Sequence, residues 1–259
     1  EPDTLAKAGI AAASGDSFAG KAFRWMERAA GRTPPKSWEG NLRMGFSLSG
    51  GDRKWRETFA RGRLTVNEEG EPDIYRFSGS YTYRENERPD GRTFKSSDKY
   101  DGTFEYRREL TPHLFLQNSL GGRADRLKGI DLEIQELVGV GYRVEPFEDV
   151  AFLLGGGGGA EYFEADFQED GAGIEPALNI FQEFTWKPFK RTSVVQEFKY
   201  FWNPENPGSY NFVFTAAVRM RLTDLLGAEL SYNQDFDNQV RRDRVREDVR
   251  WRNALIVYF

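Results

Sequence analysis

Val249-Arg250-Trp251-Arg252-Asn253-Ala254-Leu255-Ile256-Val257-Tyr258-Phe259 is the stretch whose reading decides the fold. Strand side chains alternate with period two, so Val249, Trp251, Leu255, Val257 and Phe259 share one face, and Arg250, Arg252 and Ala254 share the other. A large apolar face ending on a terminal aromatic is the pattern of a closing strand in a bacterial outer-membrane β-barrel. Trp251, Leu255, Val257 and Phe259 are therefore the candidate assembly signal, read by the barrel assembly machinery during biogenesis. An ordinary buried last strand is the alternative.

The chain has 259 residues, 39% hydrophobic, 15% aromatic and 30% charged. Its mean hydropathy of -0.67 leaves no apolar run of about 18 residues, so no helix is expected to cross a membrane. Barrel strands face lipid on one side only and escape that test. The 27 glycines and 21 phenylalanines suit a closed all-β sheet. With no cysteine, disulfides, thiolate metal sites and cysteine nucleophiles are excluded together. Acids and bases are mixed at a net charge of -5, which gives no nucleic-acid footprint. The chain begins at Glu1 with a polar, helix-like stretch and is read as a mature form whose export signal has been removed.

Two segments follow. Residues 1–37 predict a helical extension: an alanine-rich start, then Ser17 as N-cap of a stretch that Gly31 and Pro34-Pro35 end. It is a tether, a lumen plug or a segment that docks a partner. Residues 38–259 switch to period two and predict an up-and-down antiparallel transmembrane β-barrel of about twelve strands. The clearest strand runs Ile74 to Arg84, with Tyr75, Phe77, Gly79, Tyr81 and Tyr83 outward and Arg76, Ser78, Ser80, Thr82 and Arg84 inward. A phase slip between Trp55/Phe59 and Leu64/Val66 predicts a bulge in the second strand. Glu85 to about Ser97 reads as a charged loop, and turns are expected at Glu145–Glu148 and Pro188. Connections alternate between compact and longer charged ones, which fits short periplasmic turns and longer outer loops. Tyr83, Tyr106, Tyr142, Tyr162, Trp186, Trp202, Trp251 and Phe259 near strand ends suit interfacial girdles. Outer-membrane lipid is the expected surrounding.

The inward set is Arg43, Arg76, Arg84, Lys99, Asp101, Glu105, Arg107, Asp131, Glu133, Arg143, Glu161, Glu183, Glu197, Lys199, Arg219, Arg221, Glu229, Asp235, Arg250 and Arg252. Cross-strand ion pairs that fill a narrow lumen are one reading, a hydrated pore of weak ion selectivity the other. Five polar residues fall on the lipid-facing side: Asn118, Glu136, Gln182, Gln196 and Asn253. Counting across hairpins sets 118 opposite 136 and 182 opposite 196, so cross-strand hydrogen bonds are expected, or a wall that meets a protein partner or a lipid head group.

The chain resembles the YdiY-like family of salt-induced outer-membrane proteins, whose function is unknown. The resemblance rests on Ala124-Asp125-Arg126-Leu127-Lys128-Gly129-Ile130-Asp131, on Val138-Gly139-Val140-Gly141-Tyr142-Arg143-Val144, and on Leu153-Leu154 running into Gly155–Gly159 and Ala160-Glu161-Tyr162. Ser47-Leu48-Ser49-Gly50-Gly51-Asp52 and Val257-Tyr258-Phe259 are also similar. It spans about 38–259 and implies an outer-membrane barrel.

No catalytic, cofactor or metal site is expected. His113, the lone histidine, follows Pro112 at a turn. Asp235, Asp237 and Asp243 read as solvated loop acids, because no spaced calcium-loop pattern surrounds them. The run Gly155–Gly159 lacks the Gly-Lys-Ser/Thr ending of a phosphate loop and reads as a site of close packing or curvature, smooth enough for residues 1–37 to lie against. The expected function is a non-enzymatic barrel, structural or partner-binding. A narrow passive pore is the alternative, and an outer-membrane hydrolase the weak third.

Overall fold

Alternation carried through segment after segment obliges each strand to bury one face, and with no helix among the described residues the sheet closes on itself. The computed structural model describes residues 37–49, 55–87, 92–126, 128–166, 173–239 and 246–259, with the side chains of 47–49 and 55 excepted. The predicted helical extension 1–37 lies outside the described residues save for Ser37, whose carbonyl accepts the Asn67 N–H.

Twelve strands form the barrel: β1 Trp38–Ser49, β2 Trp55–Asn67, β3 Asp73–Glu87, β4 Thr93–Glu109, β5 Leu114–Asp125, β6 Ile130–Phe147, β7 Val150–Ala165, β8 Gly173–Phe189, β9 Thr192–Trp202, β10 Tyr210–Arg221, β11 Leu226–Asp237 and β12 Glu247–Tyr258. Each pairs antiparallel with its sequence neighbours, and β1 pairs with β12 to close the ring. The closing seam is short: only Asn41–Met44 face Tyr258–Leu255 in register. Phe259 extends it, exchanging backbone hydrogen bonds with Gly40 and laying its ring where a Gly40 side chain would stand.

The structure redraws several boundaries. Glu85–Ser97 is mostly hairpin rather than loop, because β3 and β4 run on past a bulge at Arg84/Glu85. Pro146 and Pro188 sit in strand ends, inside the register shifts Val144/Phe147 and Trp186/Phe189, where a missing N–H breaks no ladder. The bulge expected in β2 is absent, since β2 pairs with β1 and β3 without a shift. The phase slip has another cause: Phe59 points into the lumen, 5% exposed, under the Arg252 guanidinium at 4.6 Å.

The glycine run makes a corner in the wall. A Cβ on inward-facing Gly139 would stand 2.5 Å from the Gly156 carbonyl oxygen and 2.9 Å from the Gly157 Cα. Side chains on Gly157 and Gly159 would run into the Val138 and Glu136 carbonyls of β6. Such overlap on the concave side means that β6 and β7 fold sharply toward each other, which only residues without a Cβ permit. Gly141 and Gly155 instead make room for the Phe115 and Phe181 rings, which with Leu153 form a buried apolar cluster against the wall. Substituting Gly159→Val should abolish the folded barrel, whereas Gly102→Ala, whose Cβ would meet nothing closer than 3.9 Å, should leave it intact. Heat-modifiable migration on denaturing gels checks both.

Candidate functional site

The lumen collects the charged face of every strand. On β3, Arg76, Ser78, Ser80 and Thr82 point inward while Tyr75, Phe77 and Tyr81 stack outside on Tyr106, Phe104 and Tyr100 of β4, with centroids 5.4, 5.0 and 4.7 Å apart. The apolar outer face is what a lipid environment accepts, and the inner face must then satisfy its charges internally.

It does so largely across the barrel. Arg63 of β2 reaches Glu197 of β9 at 2.9 Å. Arg76 of β3 and Arg107 of β4 both reach Glu183 of β8, at 3.4 and 2.8 Å. Lys199 of β9 returns to Glu105 of β4 at 3.0 Å, and Arg76 holds the same carboxylate at 3.0 Å. Towards the loop end, Lys99 pairs with Asp235, Lys128 joins it at 3.0 Å, and Arg123 bridges Glu133 and Asp237 at 2.6 and 2.5 Å. Beside the seam, Glu57 receives Arg252 at 2.9 Å and Arg84 at 2.6 Å, and Glu229 receives Arg43 at 3.2 Å and Arg219 at 2.8 Å. Arg250 faces Asp248 and donates to the Ser97 hydroxyl at 2.9 Å.

Most of the expected inward set is therefore brought together, with qualifications. Asp131 is exposed, because the register shift Ile130/Leu132 turns Ile130 inward and leaves Asp131 out of the lumen. Arg143 and Arg221 sit at the rim, the first on Glu109 at 2.6 Å, the second exposed with its guanidinium 4.4 Å over the Tyr258 ring. Asp235, which the alternation sets inward although it also reads as a loop acid, pairs with Lys99 in the lumen, whereas Asp237, expected as a solvated loop acid, is an ion-pair partner on β11 and fully buried. Asp243 lies outside the described residues. Sequence reading missed Glu57, Arg61, Arg63 and Lys128. The phase slip hid the β2 residues, and Lys128 stands in a loop with no periodicity to place it.

A cavity of about 280 Å³ remains in the middle, lined among others by Arg61, Ser80, Asp101, Glu105, Lys199 and Asn233. Apolar clusters flank it: Phe115, Leu153 and Phe181 on one side, Ile130, Phe163 and Ala165 on the other.

On the outer wall, Trp251, Leu255 and Phe259 are exposed, and Val257 is half-buried beside them. Tyr142 and Trp186 are exposed as well, as girdle residues require. Asn118, Glu136, Gln182, Gln196 and Asn253 all share this face, but in a different register from the expected one. Asn118 faces Val138 and Glu136 faces Leu120, while Gln182 faces Phe198 and Gln196 faces Phe184. The turns centre one residue further along than counted, and each such step moves the partner by two. Gln182 and Gln196 still meet diagonally, the Gln196 amide donating to the Gln182 carbonyl oxygen at 2.6 Å. His113 is exposed at its turn, with Nδ1 3.2 Å from the Arg143 carbonyl oxygen and its ring 5.8 Å from that of Tyr142. No group of histidines and acids able to hold a metal occurs among the described residues.

An apolar outer face, a charged interior and twelve antiparallel strands in a closed ring define a β-barrel of the outer-membrane type. The chain belongs to the family described as "Protein of unknown function, DUF481", which matches residues 43–259. Comparison with curated proteins finds no match. Among solved structures, an outer membrane channel of Pseudomonas putida F1 is similar in fold, with a TM-score of 0.53 at 11% identity over 88% of this chain and 97% of that one. The translocator domain of the autotransporter NalP from Neisseria meningitidis has a TM-score of 0.49 at 9% identity, over 100% of this chain and 98% of that one.

The glutamine pair gives a clean test of wall chemistry. Gln182→Leu alone should destabilise the barrel by about 1–2 kcal/mol, since it strands the Gln196 amide in hydrocarbon. Adding Gln196→Leu should recover most of that loss in urea unfolding from lipid vesicles.

Proposed function

We propose that the chain is a narrow, non-catalytic pore for small polar solutes in the bacterial outer membrane. The compact turns at 148–149 and 190–191 support placing the β1 start and β12 end on the periplasmic side. The observation that carries the pore reading is the central cavity of about 280 Å³, walled by charged side chains of both signs. At about 30 Å³ per water it holds a small hydrated solute. Ion pairs between opposite walls narrow the passage, so conductance should be low and ion selectivity weak.

A closed structural or partner-binding barrel is the second reading, favoured by the Phe115–Leu153–Phe181 cluster inside the wall. The Gln182–Gln196 pair supports neither, because it is satisfied without a partner. The exposed His113, set against a backbone carbonyl and a tyrosine ring, supports a non-catalytic role.

Planar-bilayer recording separates the two readings. The wild-type barrel should give small, steady single-channel steps. The triple substitution Glu105→Gln, Glu183→Gln and Glu197→Gln releases the cross-lumen pairs and should raise the step size several-fold. Silence from both proteins, each shown to be folded, favours the closed wall.

A further inference from the structure

Arg61 and Asp101 stand apart from every other ionisable side chain that lines the cavity. Each of the others has an opposite charge within 4.0 Å, as Arg63 has Glu197 and Lys99 has Asp235. Among the described residues, Arg61 and Asp101 have no such counter-ion. Arg61 donates only to the neutral Asn233 side chain at 3.4 Å, and Asp101 accepts only from the Ser80 hydroxyl at 2.5 Å.

The two are placed in one row. Arg61 on β2 pairs with Ser80 on β3, and Ser80 pairs with Asp101 on β4. Strands lie about 4.8 Å apart, so the two backbones stand roughly 10 Å from each other with a hydroxyl between them. Their side chains open into the same cavity. An anion in the cavity gains Arg61 but meets Asp101, and a cation has the converse problem. A solute with both charges satisfies the two together, and partial desolvation strengthens both contacts. Among the described residues Glu161 also has no cation within 4.0 Å, accepting from Gln135 at 3.1 Å, but it does not line the cavity.

We infer that the central cavity binds small zwitterions of the amino-acid class, with the solute carboxylate on Arg61 and its ammonium group on Asp101. The inference deepens the pore reading and depends on it only for the solute's way in and out.

Saturation-transfer NMR on the folded barrel in detergent, with L-alanine, propionate and ethylammonium as probes, tests it. L-Alanine should bind about tenfold more tightly than either singly charged probe, the worth of one charge-assisted hydrogen bond. Arg61→Gln and Asp101→Asn should each remove about tenfold of that affinity, and Arg61→Lys should keep most of it. Equal binding of the three probes by the wild-type protein overturns the inference whether or not any variant folds. Unchanged alanine binding in folded Arg61→Gln and Asp101→Asn overturns it too. Swelling of proteoliposomes in the same solutes distinguishes the two proposals. Alanine binding without entry of any solute leaves the site standing and the pore reading refuted. Entry of all three without preference or binding does the reverse.

Discussion

Charges of opposite sign reaching across a closed sheet constrain everything else in this barrel. Arg63 to Glu197, Lys199 to Glu105 and Arg123 to Asp237 each join strands far apart in sequence and on different walls. Taking such groups from water is costly, and the cost is offset only where the partner arrives with good geometry. Every strand must therefore hold its register. A one-residue slip would turn its arginines and glutamates into lipid and its phenylalanines into the lumen. The outward stacking of Tyr75, Phe77 and Tyr81 on β4 is the other half of the same requirement.

Shape comes from where side chains are missing. The glycines of β6 and β7 let two strands fold together more sharply than any residue with a Cβ would permit. The space gained inside the corner goes to Phe115, Phe181 and Leu153, and Phe59 fills the region behind the seam under Arg252. These apolar fillers confine the open volume to the middle of the lumen. Arg61 and Asp101 stand in one row of the wall there, with neutral hydrogen-bond partners only.

The barrel was largely legible in the chain because alternation is a local signal repeated around the ring. Strand number, the facing of β3, β4 and β12, and most lumen charges follow from it directly. What periodicity cannot show is where it breaks. Asp131 was misplaced because a bulge shifts the phase one residue before Leu132. Phe59 breaks the apolar phase of β2 not through a bulge but because it is an inward residue stacked on an arginine. Asp237 lies at the end of β11, where strand and loop composition are alike, and only the closed ring brings Arg123 to it. Pairing across the lumen is a property of closure, with no trace in the spacing of residues along one strand. The isolation of Arg61 and Asp101 could be seen only once every other charge lining the cavity had found its partner.

The most direct measurement is a double-mutant cycle on Arg63 and Glu197, across the lumen from β2 to β9. Urea unfolding from lipid vesicles would compare Arg63→Ala, Glu197→Ala and the pair. A barrel held by cross-lumen ion pairs predicts a coupling energy of about 2 kcal/mol or more, above the ~1 kcal/mol ceiling of exposed pairs. Additive single effects, with no coupling between the two positions, would contradict the account.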